Sequence, residues 1–148
     1  YTQKILGAAP VEVFGLQHTG STGVDMTFAA QMRYANGALA QFTSSFESPS
    51  YMRFDIFGSE GNIVITRPFA GIENGSVDIV SSSGTAERLL FPEKHLYLGE
   101  IEDMEAAVFD HKPQLLLLAE TASHVRTVLA LLQSAREKRP VACDWSVG

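Results

Sequence analysis

Cysteine is nearly absent. Cys143 is the only one in 148 residues, so no internal disulfide is available and a reducing, cytoplasmic setting is the expectation. Basic charge is also scarce. Eleven Lys and Arg stand against 17 Asp and Glu, for a formal charge of −6, which argues against a nucleic-acid partner because that binding rests on phosphate neutralisation. The basic run Arg136-Glu137-Lys138-Arg139 falls where a helix is expected to end, and positive charge is favoured there in any case. Long apolar runs are missing. Leu115–Ala119 is far short of the ~20 residues a membrane helix needs, so no membrane partner is expected. No charged and apolar leader pattern opens the chain. It begins with Tyr1 rather than Met, and the expectation is a piece of a longer protein.

The signatures of chemistry are mostly lacking too. No two glycines are two residues apart, which excludes the G-x-G-x-x-G dinucleotide fingerprint. The stretch Gly15-Leu16-Gln17-His18-Thr19-Gly20-Ser21-Thr22 mimics a P-loop, but Ser21 replaces the lysine and a strand pattern follows, so the phosphate-holding charges are gone. His18, His95, His111 and His124 are scattered without i+3 or i+4 spacing, and no metal site is expected. There is no G-x-S-x-G, and Cys143 has no base beside it, so a small hydrolase lacks its nucleophile set. The carboxylates Glu100, Glu102, Asp103 and Glu105 read as a solvated acidic helix face. His124 fits an exposed helix position, and His111 fits a helix C-terminus. Asn74-Gly75-Ser76 is a glycosylation sequon by pattern and a turn in a cytoplasmic chain.

What remains is ordinary globular material: 45% hydrophobic and 19% charged residues, enough for one domain over residues 1–148. Val24 to Tyr34 alternates, with Val24, Met26, Phe28, Ala30, Met32 and Tyr34 on one face and Asp25, Thr27, Gln31 and Arg33 on the other. That is the period of a strand buried on one side. Asn36-Gly37 follows as a hairpin signal, both residues tolerating positive φ. Ala38 to Phe46 then returns, with Ala40, Phe42 and Phe46 inward. Tyr51–Phe57 and Asn62–Arg67 form a further pair around Gly58-Ser59-Glu60-Gly61. Val11–Gln17, Ser76–Ser81 and Glu87–Phe91 complete the set, and Val141–Trp145 reads as an edge strand.

Ile101, Met104 and Val108 mark a helix stopped at Lys112-Pro113. Ala122, Val125, Leu129 and Leu132 mark a second, from about Ala119 to Lys138, ended by Pro140. Strands followed by helices predict an α+β fold: a mostly antiparallel open sheet of about six or seven strands with helices packed on one face. The uncovered face would carry Asp25, Thr27, Gln31, Arg33, Gln41, Thr43 and Ser45, continued by Tyr51, Arg53, Asp55 and Phe57 if strands pair in order. Solvated sheet, protein interface and ligand-cleft wall are all open readings of it. His95, in the connector Glu93-Lys94-His95-Leu96-Tyr97, is the histidine best placed for ligand contact, with Tyr97 beside it; the plain alternative is a polar connector.

Several segments taken in order resemble a known family. They are Ala9-Pro10-Val11-Glu12-Val13, the hairpin Met32 to Ala40, Arg53-Phe54-Asp55-Ile56-Phe57-Gly58-Ser59-Glu60-Gly61-Asn62-Ile63, and Leu129 to Val141. Together they are similar to the C-terminal domain of the glucose–fructose oxidoreductase / inositol dehydrogenase / MocA (Gfo/Idh/MocA) family. The resemblance implies a part of an NAD(P)-dependent oxidoreductase of sugars, polyols or related secondary alcohols. It implies an N-terminal Rossmann domain, outside this chain, that binds NAD or NADP and carries an E-K-P motif with the catalytic lysine. This chain would then bind no cofactor, be inactive alone, shape the substrate cleft and form a homo-oligomer through the open sheet face. Neither G-x-G-x-x-G nor E-K-P occurs here. Tyr1 stands where the tyrosine of the family's D-x-G-x-Y motif would stand, which implies a proton-transfer or substrate-orienting role; the other reading is the last turn of a helix cut short. His95 and Tyr97 are the substrate-binding candidates. A free-standing α+β binding or assembly module without catalysis is the alternative.

Overall fold

The computed structural model describes residues 1–68, 75–91, 95 and 97–143. The sequon's Asn74, the connector residues Glu93, Lys94 and Leu96, and Asp144 and Trp145 of the expected edge strand lie outside the described residues. The chain divides into two compact units: residues 1–48 with 116–148, and residues 49–115.

The first unit holds α1 (Thr2–Leu6), β1 (Glu12–Thr19), β2 (Asp25–Arg33) and β3 (Leu39–Ser45), then α3 (Leu118–Glu137) and β8 (Val141–Ala142). Its sheet runs β3-β2-β1-β8, every pair antiparallel. The alternation read from the sequence sets the register. Phe28, Ala30, Met32 and Tyr34 are buried together with Val13, Leu131 and Val141, so α3 lies on the even-numbered face of β2. Thr27, Gln31 and Arg33 share the opposite face with their partners His18, Phe14 and Glu12.

Two local features differ from the reading of the sequence. In the β2–β3 hairpin only Gly37 takes positive φ, at 86°. Tyr34 N–H donates to Ala38 O and Gly37 N–H to Tyr34 O, both at 3.0 Å, and Asn36 Oδ1 accepts from Ala38 N–H at 3.1 Å. This is a three-residue loop closed by a left-handed glycine, not a two-residue turn. The other feature is α1, a short helix that follows Tyr1 rather than ending at it.

The second unit holds β4 (Arg53–Gly58), β5 (Gly61–Thr66), β6 (Ser76–Ser81), β7 (Ala86–Leu90) and α2 (Leu98–Phe109). Its sheet is a simple antiparallel meander, β4-β5-β6-β7. The α+β class read from the sequence holds, but the strands are shared between two four-stranded sheets instead of one. Because β3 does not pair with β4, the row Tyr51, Arg53, Asp55 and Phe57 does not extend the β2–β3 face. The link between the strands contains Pro49, which has no N–H to offer a ladder. On α2, Ile101, Met104 and Val108 are exposed, and no residue of that helix is buried. The helix ends in a tight wrap: Asp110 N–H and Lys112 N–H both donate to Ala106 O, with His111 left-handed at φ 56°.

Candidate functional site

Tyr1 lies at the N-terminal end of α1, exposed, its carbonyl accepting from Ile5 N–H at 3.0 Å. The helix behind it is held by side chains. Gln3 donates to Thr127 Oγ1 at 2.6 Å and accepts from Ser123 Oγ at 2.9 Å. Lys4 Nζ meets Glu120 Oε1 at 2.8 Å. Glu120 also accepts from Leu117 N–H at the start of α3, at 3.0 Å. Lys4 first, and that N–H second, hold the Glu120 carboxyl below its ordinary value. Tyr1 is thus anchored through α1 to the first three turns of α3.

His95 and Tyr97 lie in the second unit, immediately before α2. Their rings are 6.4 Å apart between centroids and tilted by 52°, and both side chains are exposed. Leu98 N–H donates to His95 O at 3.1 Å, so the histidine backbone caps the entry to the helix. The pair can present one imidazole and one phenol to a hydroxylated ligand. Tyr1 belongs to the first unit.

A polar chain crosses the open face of the first sheet. Thr27 Oγ1 and Ser45 Oγ are 2.8 Å apart, Thr27 donates to Glu47 Oε2 at 3.1 Å, and His18 Nε2 is 3.9 Å from Glu47 Oε1. The hydroxyls are bonded to each other and to the carboxylate, not to the imidazole, so the arrangement lacks the nucleophile–base contact that acyl chemistry needs. Among the described residues no group of three His, Cys, Asp or Glu is arranged to hold a metal. Burial, and then the Glu12 charge, push the Cys143 thiol up, away from nucleophilic character.

The second sheet carries a charged row. Asp78 and Arg88 face each other across β6 and β7 in a bidentate pair, with Arg88 Nη2 to Asp78 Oδ2 at 2.9 Å. On β4, Arg53 Nε donates to both oxygens of Asp55, at 2.9 and 2.8 Å. Each arginine holds its aspartate below the ordinary carboxyl value, chiefly by hydrogen bonding. Beside Arg53 is a half-open cleft of about 330 Å³, lined by Ser50, Tyr51, Met52, Arg53, Thr66 and Arg67. Arg53 and Thr66 are register partners, and Arg67 N–H donates to Met52 O at 3.1 Å. The β4–β5 ladder therefore builds the cleft. Sequence reading placed Tyr51 and Arg53 on an outward row but had no signal for Arg67, which arrives through that ladder with φ at 52°.

Residues 1–64 match the family model described as the GFO/IDH/MocA C-terminal domain, in agreement with the resemblance read from the sequence. The fold is similar to that of an aldose-aldose oxidoreductase from Caulobacter crescentus, solved with glycerol. The TM-score is 0.82 at 17% identity, over 96% of this chain and 44% of that one. It is likewise similar to a levoglucosan dehydrogenase solved with NADH and levoglucosan, with a TM-score of 0.72 at 18% identity over 95% and 46% of the two chains. The chain thus spans less than half the length of these solved relatives. Among the described residues no helix is long and apolar enough to cross a membrane.

Proposed function

We propose, on the premise that this chain is similar to the C-terminal domain of the Gfo/Idh/MocA oxidoreductases, that it is the substrate-cleft and oligomerisation part of an NAD(P)-dependent oxidoreductase. The substrate class is a sugar, a polyol or a related secondary alcohol. The observation that carries this reading is the extent of the fold match: nearly all of this chain overlays on less than half of enzymes that oxidise or reduce sugars.

A dinucleotide cradle is built on a parallel β–α–β unit with a glycine-rich turn. Every strand pairing among the described residues is antiparallel, which supports a dinucleotide cradle built elsewhere. That role falls to a separate N-terminal Rossmann domain, and residues 1–148 form the single C-terminal sheet domain beside it. In this chain Tyr1 orients the substrate or relays its proton, and His95 with Tyr97 hydrogen-bonds substrate hydroxyls. A second copy of the chain packs on the open sheet face, where Phe14, Leu16 and Leu39 are displayed.

The test has two arms. A longer protein containing this chain is assayed with NAD+ or NADP+ and a panel of aldoses and polyols, and nicotinamide reduction with at least one sugar is expected. The 148-residue chain alone is titrated with NADH and NADPH, and no saturable fluorescence change is expected. Tight dinucleotide binding by this chain would overturn the division of labour.

A further inference from the structure

Helix α1 is too short to hold its own direction. Its five residues fall well below the ~12–15 that an isolated helix needs in water. None of them is buried; Leu6 is partly buried against the apolar core. What fixes the helix is a polar seam with α3. Gln3 Nε2 donates to Thr127 Oγ1 at 2.6 Å, Thr127 Oγ1 donates to Ser123 O at 2.9 Å, and Ser123 Oγ donates to Gln3 Oε1 at 2.9 Å. The three bonds run in one direction. The Thr127 proton goes to the carbonyl one turn back, so its oxygen accepts. Gln3 is thereby held with its amide nitrogen on Thr127 and its amide oxygen on Ser123. Thr127 is buried, where a hydrogen bond is stronger than at the surface. Lys4 Nζ on Glu120 Oε1, at 2.8 Å, adds a third point. Glu120, Ser123 and Thr127 follow i, i+3, i+7 on one face of α3 and span about 10 Å of its axis. That face continues as Leu131 and Ser134, which meet β1 at Gly15. Its second half is taken by the sheet, and its polar first half by α1.

Tyr1 immediately precedes α1, and its carbonyl accepts from Ile5 N–H. The direction in which the phenol is presented therefore follows the axis of α1. We propose that Gln3, Ser123 and Thr127 are positioning residues for Tyr1. They act through α1, by fixing its axis on α3. The inference rests on the reading of Tyr1 as the residue that orients the substrate or relays its proton. A displacement of about 1 Å at a reacting group can cost ~100-fold in rate, which is the scale on which such a seam matters.

The experiment has two readouts. Amide hydrogen exchange at Ile5 is measured on this chain, with Phe28 and Ala30 in β2 as the folding control. Gln3→Met and Thr127→Val keep size and remove hydrogen bonds. Both are expected to speed exchange at Ile5 at least about ten-fold, by releasing a helix too short to persist alone, with the control amides unchanged. Thr127→Ser keeps the hydroxyl and is expected to stay near the parent. Turnover is measured in a longer protein containing this chain, with NAD+ or NADP+ and D-glucose, D-xylose, sorbitol and glycerol as probes. Tyr1→Phe is expected to lower kcat/KM at least about ten-fold, and Gln3→Met and Thr127→Val about five-fold or more, with Thr127→Ser restoring the rate. The double variant of Tyr1→Phe and Gln3→Met is expected to be no slower than Tyr1→Phe alone, because both changes act through one phenol. A purely structural loss would multiply instead. Tyr1→Phe at the parent rate, or no turnover of any probe, sinks the reading of Tyr1 and the positioning role with it. A slow Tyr1→Phe beside Gln3→Met and Thr127→Val at the parent rate, multiplied losses in the double variant, or unchanged Ile5 exchange would each overturn the positioning role and leave the reading of Tyr1 standing.

Discussion

Gly15 N–H donates to Ser134 Oγ at 3.0 Å in the interior of the first unit. The same hydroxyl donates onward to Arg139 O at 2.6 Å. Ser134 is 0% exposed, so one side chain satisfies a strand donor on β1 and a carbonyl just beyond the end of α3. Removing it strands both backbone groups in a dry place. Ser134→Ala is expected to lower stability by about 1–3 kcal/mol, read as a shift in the urea midpoint at constant slope. A change below about 0.5 kcal/mol, the usual range of a neutral surface substitution, would show that neither group depends on the hydroxyl.

The close packing of α3 on β1 leaves no room for a side chain at position 15. A Cβ there would lie 2.6 Å from Leu131 O and 2.9 Å from Phe28 Cζ. The nearer atom is helix backbone, so it cannot swing aside; α3 as a whole would have to lift. Gly15→Ala is expected to destabilise by about 1–3 kcal/mol through overpacking, with the far-ultraviolet spectrum unchanged. Equal or raised stability would mean that the helix sits further from β1 than the structure places it.

Tyr34 presents the opposite case. Its side chain is 1% exposed, and its hydroxyl has no hydrogen-bond partner among the described residues. A buried unpaired hydroxyl costs free energy, and deleting it returns that cost. Tyr34→Phe is therefore expected to leave the thermal midpoint unchanged or raise it. A loss above about 1 kcal/mol, the typical net worth of one hydrogen bond, would reveal a partner for the hydroxyl.

These three residues also show what one-dimensional pattern can convey. The period-2 run from Val24 to Tyr34 predicted the buried face of β2, because a strand with one dry side must repeat every second residue. It predicted nothing about Ser134 meeting Gly15, 119 residues away, since that contact is made by helix placement. Pattern likewise could not divide eight strands into two sheets, a matter of which edges meet. The Ile101, Met104 and Val108 stripe has the spacing of a packed helix, yet those side chains are exposed; spacing reports amphipathicity, not what covers it. The roles of Tyr1, His95 and Tyr97 rest on family resemblance and a connector position. Arg53 and Arg67 line one cleft because of the β4–β5 register, which alternation along a strand does not specify.

The Asp78–Arg88 pair makes the stability of the second unit depend on pH. Arg88 first, and Arg53 at longer range, hold the Asp78 carboxyl below its ordinary value. A carboxyl that is more acidic folded than unfolded stabilises the fold above its unfolded value, about 3.9, and that contribution fades as pH falls through the lower folded value. Asp78→Asn should therefore be less stable than the parent at neutral pH, and the gap should close on acidification. Both partners are partly open to solvent, so the gap should be small and should shrink with added salt. Thermal midpoints of parent and variant from about pH 7 to about pH 3 check it, the range spanning the ordinary carboxyl value. Curves that stay parallel across the range would mean that Asp78 carries the same proton affinity in the folded and unfolded chains, and the bidentate pair would then contribute nothing to the β6–β7 edge.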